Sequence, residues 1–309
     1  YWNIDTLDMR FYQFSKPVIL HASGPDSSRY LNARLTNDFA ALDAGAHMLA
    51  ACLTSQGKTQ ALFTVYKLGA NDALLICDGG ERDKVIEAFK QFIVADQVTV
   101  ADQSEQYELF HLYGSISDIA DLMCGLDLNA VPDTTPKRFT QRNGAIALNR
   151  TRSTVPGIDL LTTKQQSAAE RLKLAGATPL THKEYTLERI KAGTPSFPDE
   201  INESHLFQES GLNQAISFTK GCYVGQEVIE KVDSHGKLAF KLCAVFFLAE
   251  QTEIEDPTVY CDSESTQKAG QIITHCYDEA AKQIYAFVRV RNADEDVKLF
   301  VESKPCTSV

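Results

Sequence analysis

The sequence predicts an α+β fold of antiparallel strands, closed by a small all-β module. Three observations lead there. Apolar side chains switch repeatedly between a spacing of two and spacings of three and four. Strand-like runs are joined by turn sequences as often as by helical ones, which argues against a doubly wound parallel sheet. Beyond Lys237 only short strands and turns recur, the pattern of a barrel or sandwich.

Taken in order, Pro17–His21 reads as a strand, and Gly24-Pro25-Asp26-Ser27 as a turn that ends in N-cap residues. Leu31, Leu35, Phe39 and Leu42 form an apolar stripe that predicts a helix over Ser27–Leu42. Met48–Leu53, Ala61–Leu68 and Ala73–Cys77 form an antiparallel meander, because Ser55-Gln56-Gly57-Lys58 and Gly69-Ala70-Asn71-Asp72 are turn sequences. Val85, Ile86, Phe89 and Ile93 share one face of a helix over Asp83–Ile93, and Val98–Ala101 and Tyr107–Tyr113 return to strand. A helix around Ile116–Cys124, a loop through Pro132 and Pro136, strands near Ala145–Arg150 and Gly157–Leu161, and a helix over Lys164–Ala175 make a second set. Lys183–Ala192 is helical and stops at Gly193, with Pro195 beyond. Thr194–Phe218 lacks periodicity and reads as a long functional or flexible loop. The last strands are Phe240–Leu248, Thr258–Cys261, Gln271–Tyr277, Ile284–Val290 and Asp296–Val301, so the expected division is residues 1–236 and 237–309.

Composition narrows the function. With 309 residues, 44% hydrophobic and 23% charged, the chain is long and apolar enough for a substantial core and is not a disordered chain. Its longest clean apolar run, Cys243–Ala249, is too short for a membrane-spanning helix. The opening residues show neither a signal peptide nor a transit-like stretch, so a cytoplasmic location is expected. Forty-one acidic side chains against 30 basic ones give a net charge of −11, which repels polyanions and argues against direct nucleic-acid binding. Thr134–Ile158 is an exception without acids: Lys137, Arg138, Arg142, Arg150 and Arg152 there read either as an anion-facing patch or as a solvated strand pair. The eight cysteines include no CxxC pair, and the seven histidines no HxH or HExxH, so no metal site is expected. Cys77, Cys243 and Cys276 sit in apolar strands, where free cysteine acts as a small hydrophobe.

The most informative segment is Ser217-Phe218-Thr219-Lys220-Gly221-Cys222-Tyr223-Val224-Gly225-Gln226-Glu227. A lysine two residues before a cysteine favours the thiolate if the side chains converge, and Gly221 admits a close ligand or a positive φ. The same residues also describe a turn with a packed, inert cysteine.

Lys220-Gly221-Cys222-Tyr223-Val224-Gly225-Gln226-Glu227 resembles the signature K-G-C-[YF]-x-G-Q-E of the YgfZ family of folate-binding proteins, relatives of the glycine-cleavage T-protein (GcvT). Gly24-Pro25-Asp26 through Tyr30-Leu31 to Leu35-Thr36-Asn37-Asp38 resembles a second family pattern, and Arg189-Ile190-Lys191-Ala192-Gly193-Thr194-Pro195 resembles its R-I-E-A-G-x-P. The Gly57-Lys58 turn and Lys268-Ala269-Gly270-Gln271-Ile272 agree as well. The resemblance implies a GcvT-like clover-leaf: two interleaved antiparallel α+β subdomains and a C-terminal β-barrel around a cavity for tetrahydrofolate. It also implies an accessory factor, rather than an enzyme, that supports iron–sulfur cluster assembly or repair and, indirectly, tRNA modification by iron–sulfur enzymes. The partners implied are iron–sulfur assembly proteins or client enzymes. On this resemblance Cys222 is the functional thiol and Lys220 tunes it. Gly221, Tyr223, Gly225, Gln226 and Glu227 shape the loop and, with Tyr185 and Arg189, are the residues implied to bind the folate.

Three departures bear on the chemistry. The T-protein's folate-site acid has no counterpart in Gln60-Ala61-Leu62, which argues against the alternative reading, a tetrahydrofolate-dependent aminomethyl transferase. Lys191 replaces the carboxylate that suits a pterin's donor edge, so either neutral acceptors or Glu188 hold the pterin or folate affinity has declined. The family's A-R after the signature is Glu230-Lys231. Tyr185 reads either as a pterin-stacking ring or as a core tyrosine. A Cys-dependent hydrolase would need His205 or His235 near Cys222, and no local signature links them.

Overall fold

The path of the chain starts one sheet, builds a second, and only then returns to the first. The computed structural model describes residues 9–115, 119, 138–236, 238–250, 252–292 and 297–309. After β1 (Arg10–Gln13) come β2 (Val18–Ser23), α1 (Ser27–Arg34), β3 (His47–Leu53), β4 (Thr59–Gly69), β5 (Asp72–Cys77), α2 (Arg82–Lys90) and β6 (Thr99–Asp102). Strands β2 to β6 form an antiparallel sheet of order β3-β4-β5-β2-β6. Then β7 (Tyr107–Tyr113), β8 (Phe139–Arg142), β9 (Ala145–Asn149), β10 (Gly157–Thr163), α3 (Ala168–Leu174) and β11 (Thr178–Pro179) follow. With β1 they make a second sheet, β11-β1-β7-β10-β9-β8. This is the interleaving that the resemblance implied.

The two-residue period of the strands sets the layers. In the first sheet Val18, Leu20, Leu75 and Cys77 point to α1 and α2, while Ile19, Leu74 and Ile76 point to the second sheet. In the second sheet Tyr12, Leu109, Leu148 and Leu161 meet them, while Phe11, Phe110, Ala147 and Leu160 face α3. The order is helices, sheet, sheet, helix, and with both faces of each sheet covered, β4 and β10 are buried almost throughout.

The expected helix over Ser27–Leu42 ends early, at Arg34. Leu35 turns extended and bridges Cys52. Polar side chains offer the backbone other partners: Asn32 accepts the amides of Phe39 and Ala40, and Thr36 Oγ1 accepts Ala51 N at 2.8 Å and donates to Ala215 O at 2.6 Å. Phe39 still reaches the core, from a loop. The helix expected over Lys164–Ala175 breaks at Ser167, whose φ of 47° separates a short 3-10 turn from α3. The helix expected around Ile116–Cys124, the loop through Pro132 and Pro136, Lys137, and the start of the strand expected at Asp296 lie largely outside the described residues.

α4 (His182–Lys191) begins with a capping box in which Thr181 and Glu184 bond reciprocally. The stretch Thr194–Phe218 is irregular as expected, with short 3-10 turns at Phe207–Ser210 and Asn213–Ala215. It is anchored: Ile201, Phe207, Ala215 and Ile216 return to the helical side of the first sheet. α5 (Gln226–His235) then leads to β12 (Phe240–Leu248), β13 (Thr258–Tyr260), β14 (Lys268–Asp278), β15 (Gln283–Arg291), β16 (Phe300–Val301), β17 (Lys304–Pro305) and β18 (Thr307–Ser308). Their sheet, β17-β16-β13-β14-β15-β12-β18, is nearly closed, because its two edge strands flank the single residue Cys306. Gly270 is required in β14: a Cβ there would meet Arg289 O at 2.0 Å. Ile190 of α4 packs on Cys276 and Phe287 of this sheet.

Among the described residues no helix is long and apolar enough to cross a membrane. Seven described cysteines are free; Cys77 and Cys276 are buried, Cys243 is half-buried, and burial pushes the Cys77 thiol up to about 12.

Candidate functional site

The signature loop is pinned from beneath by Lys220. This residue is 8% exposed; its ammonium donates to the carbonyls of Asn32, Leu35 (2.6 Å) and Asn37 (3.0 Å), and lies 4.9 Å from the centre of the Tyr223 ring. These carbonyls lie at and just beyond the C-terminus of α1, where unpaired oxygens and the helix dipole favour a cation. Burial lowers the Lys220 pKa to about 8, with Asp38 opposing. The convergence with Cys222 that the sequence leaves open is therefore not where this ammonium is spent. Val224 N donates to Ala33 O and Ser217 N to Thr36 O, so the whole loop is sewn to the same segment.

Cys222 is exposed on top of this platform. Gly221 beside it has no positive φ, which removes that one of its two expected roles, and a Cβ there meets nothing within 4 Å. Gly225 carries that role instead. Its φ is 88°, it caps the start of α5, and a Cβ would lie 2.6 Å from Thr54 O. Gln226 Oε1 accepts Tyr223 N at 3.1 Å, and its amide donates to Glu230 at 2.6 Å. Tyr223 is buried, and Glu227 is exposed on the first turn of the helix. Gly225→Ala is therefore expected to cost about 2–3 kcal/mol in urea unfolding, whereas Gly221→Ala should change stability by less than about 0.5 kcal/mol. Equal effects at the two glycines would contradict this account of the loop.

Tyr185 and Arg189 stand apart from the loop, between the two sheets and the barrel. Tyr185 is 4% exposed and stacks on Tyr12 with centroids 4.0 Å apart and planes 2° apart, with Phe14 edge-on at 5.4 Å. Burial raises the Tyr185 phenol to about 12. Arg189 is 1% exposed and binds Glu200 through both terminal nitrogens, at 2.7 and 3.1 Å, and Asp199 at 3.3 Å. The side chain of Asp199 is 36% exposed.

Sequence reasoning missed the polar node behind these rings. Arg152, 2% exposed, holds Asp159 with Nε at 2.8 Å and Nη2 at 2.7 Å, and Asp78 with Nη1 at 2.5 Å and Nη2 at 2.9 Å. Its Nη1 also lies 3.4 Å from the Tyr185 hydroxyl. His111 bonds Asp159 at 2.9 Å, and Arg150 reaches Thr64 at 2.6 Å and Asp159 at 3.3 Å. Burial alone would raise the Asp159 pKa; Arg152 and Arg150 outweigh it and hold the carboxyl well below the usual carboxylate range. Burial keeps His111 below its ordinary value against the pull of Asp159. Arg150 and Arg152, in the connection between β9 and β10, thus turn inward, which corrects the anion-patch and solvated-strand readings for these two residues. Arg138 caps Ala44 O at 2.7 Å, leaving Arg142 exposed.

Lys191 does not leave a gap where the family pattern has a carboxylate. Its ammonium pairs with Asp278 of β14 at 2.5 Å, tying α4 to the barrel-like sheet. Glu188 pairs with Arg10 at 3.3 Å. Gln60 accepts from the buried Arg34 at 3.1 Å, and Ala61 is fully buried. His205 sits with Glu209 and Arg289 around a small cavity; the side chain of His235 lies outside those described.

Residues 13–152 match the family described as the GCVT N-terminal domain. A tRNA-modifying protein YgfZ from Serratia proteamaculans is 28% identical over 229 residues, covering 71% of this chain and 65% of that protein. Its counterpart from Klebsiella pneumoniae is 28% identical over 221 residues, 69% of this chain and 64% of the relative. The match thus spans slightly less than two thirds of each relative. The crystal structure of the glycine cleavage system aminomethyltransferase T from Bartonella henselae superposes with a TM-score of 0.82 over 98% of this chain and 85% of that one, at 14% identity. The signature loop, the interleaved sheets and these relatives point one way: the chain is similar to the YgfZ proteins and has the fold of the glycine-cleavage T-protein.

Proposed function

We propose that this protein is a folate-binding accessory factor that supports iron–sulfur cluster assembly or repair and, through iron–sulfur client enzymes, tRNA modification. The observation that carries this reading is an exposed thiol, Cys222, on a loop of the family signature that the rest of the chain holds rigidly. The similarity to tRNA-modifying proteins YgfZ supports the process, and the net charge of −11 supports an indirect effect on tRNA.

The residues between the lobes suit a pterin in kind. Tyr12, Phe14 and Tyr185 form a buried aromatic cluster whose faces are taken by one another and by Arg152 and Arg189, so a pterin would lie beside it rather than on it, and Asp199, partly exposed beside Arg189, offers a carboxylate for the ring's donor edge now that Lys191 is engaged by Asp278. A bound tetrahydrofolate would supply a one-carbon carrier. No carboxylate stands at Gln60 or Ala61 to assist transfer from it, which weighs against an aminomethyl transferase.

The test has two parts. Calorimetric titration of tetrahydrofolate into the full chain should give saturable binding that Asp199→Asn weakens about tenfold or more. In cells lacking the protein, wild type should restore a tRNA-modifying iron–sulfur enzyme, while Cys222→Ala accumulates to the same level and fails to. Absence of folate binding would sink the cofactor half, and full rescue by Cys222→Ala would sink the thiol half.

A further inference from the structure

A cleft of about 710 Å³ lies at one end of the barrel-like sheet. None of the residues of the signature loop or of the aromatic site lines it. Its floor is apolar: Leu248, at the end of β12, is 69% exposed there, with Ala249 and Ile284 beside it. A single exposed leucine is ordinary, but one set in the floor of a concave site is placed to receive a side chain.

The walls carry charge of one sign in excess. Glu250, Glu253, Glu255, Asp256 and Glu302 face Lys282 and Lys304, five carboxylates against two ammonium groups. Two of the acids build the wall. Glu302 Oε1 accepts the amides of Glu255 at 2.8 Å and Asp256 at 3.4 Å, and Asp256 accepts Thr258 N and the Tyr260 hydroxyl, each at 2.9 Å. Glu302 also meets Lys304 at 3.5 Å. The carboxylates of Glu250, Glu253 and Glu255 have no ion-pair partner among the described residues. Nor is any group of three or more His, Cys, Asp or Glu among the described residues placed to hold a metal ion. Three exposed acids in succession along the chain, at 250, 253 and 255, complement the charge of successive basic side chains.

We propose that this cleft docks a lysine- or arginine-rich segment of a partner protein, with one aliphatic side chain seated on Leu248 and its cations set against Glu250, Glu253 and Glu255. A preformed apolar floor gives the anchor, the unpaired acids give selection by charge, and the acidic field of the whole chain speeds the encounter. The proposal stands independently of the folate reading.

The probe is a fluorescent Lys-Leu-Lys-Leu-Lys peptide titrated into the full chain by anisotropy at low and moderate salt. Glu253→Lys/Glu255→Lys and, separately, Leu248→Asp should each weaken binding about tenfold. Glu87→Lys/Glu170→Lys, which changes the net charge as much as the first pair but on exposed helical positions elsewhere, should weaken it less than about twofold. Equal loss in both charge-reversed pairs would reduce the effect to bulk charge and overturn the proposal, as would no binding by wild type. Full competition by spermidine at matched charge, with Leu248→Asp unaffected, would assign the cleft to a polyamine and also overturn it.

Discussion

Asp159→Ala is expected to cost about 3–5 kcal/mol of stability, the largest effect of any single change considered, because it leaves Arg152 and Arg150 facing a buried site with one acid fewer. Arg152 is 2% exposed and would keep Asp78 as its one carboxylate partner, while His111 would lose its bonded carboxylate. Urea unfolding at neutral pH measures the loss. Arg152→Met combined with Asp159→Ala should be less harmful than the two single losses added, since removing both partners leaves no unpaired charge. An additive double mutant would refute the coupling. The pH dependence has a definite sign. Arg152 and Arg150 hold the Asp159 carboxyl below its unfolded value near 3.9, so its contribution is complete above about pH 4 and fades as acid protonates it in the folded state. Asp159→Ala should remove that part of the acid sensitivity.

Lys220→Met is expected to cost about 3–4 kcal/mol, through three carbonyls stripped of a charged donor rather than through any loss of chemistry. Methionine fills much the same volume and keeps the contact with Tyr223, so the change isolates the hydrogen bonds. Cys222→Ala, one step along the chain from Gly221, should leave stability within about 0.5 kcal/mol of wild type, because that side chain is exposed. The pair separates structure from function inside one octapeptide. If Lys220→Met unfolds at the wild-type urea midpoint, the ammonium is not the pin of the loop.

Much of the architecture was legible because strands with one or both faces buried repeat their apolar pattern faithfully. Tyr107–Tyr113 and Phe240–Leu248 coincide with their expected bounds, and the meander and the β-rich end follow from the turn residues between runs. Helix ends were less legible. The stripe through Phe39 and Leu42 outlives α1 because Asn32 and Thr36 redirect the backbone while Phe39 stays in the core. α5 went unseen since Gly225 starts it with a positive φ in place of a Ser, Thr, Asp or Asn cap. β1 and β11 are too short to show a period and exist only through partners far along the chain. The same limit hid the polar node: nothing local links Asp78, His111, Arg152 and Asp159, which meet only when the two sheets face each other. The signature residues were found, but the octapeptide could not say that Lys220 points down, Cys222 out, and that Gly225 rather than Gly221 needs to be glycine.

The order in which strands join has a consequence for how such a chain is made. β1 leaves the ribosome before any strand of the first sheet, yet its neighbours β7 and β11 arrive roughly a hundred and more residues later. The helical side of the first sheet likewise waits for Ile201, Phe207, Ala215 and Ile216 to cover it. Neither lobe can finish as an N-terminal unit during synthesis, so the nascent chain must carry unpaired edges and uncovered apolar surface until well past its midpoint. The architecture that holds the thiol loop so firmly in the finished molecule thus exposes the unfinished one to aggregation, and makes its yield in the cell depend on what shelters the chain while it waits.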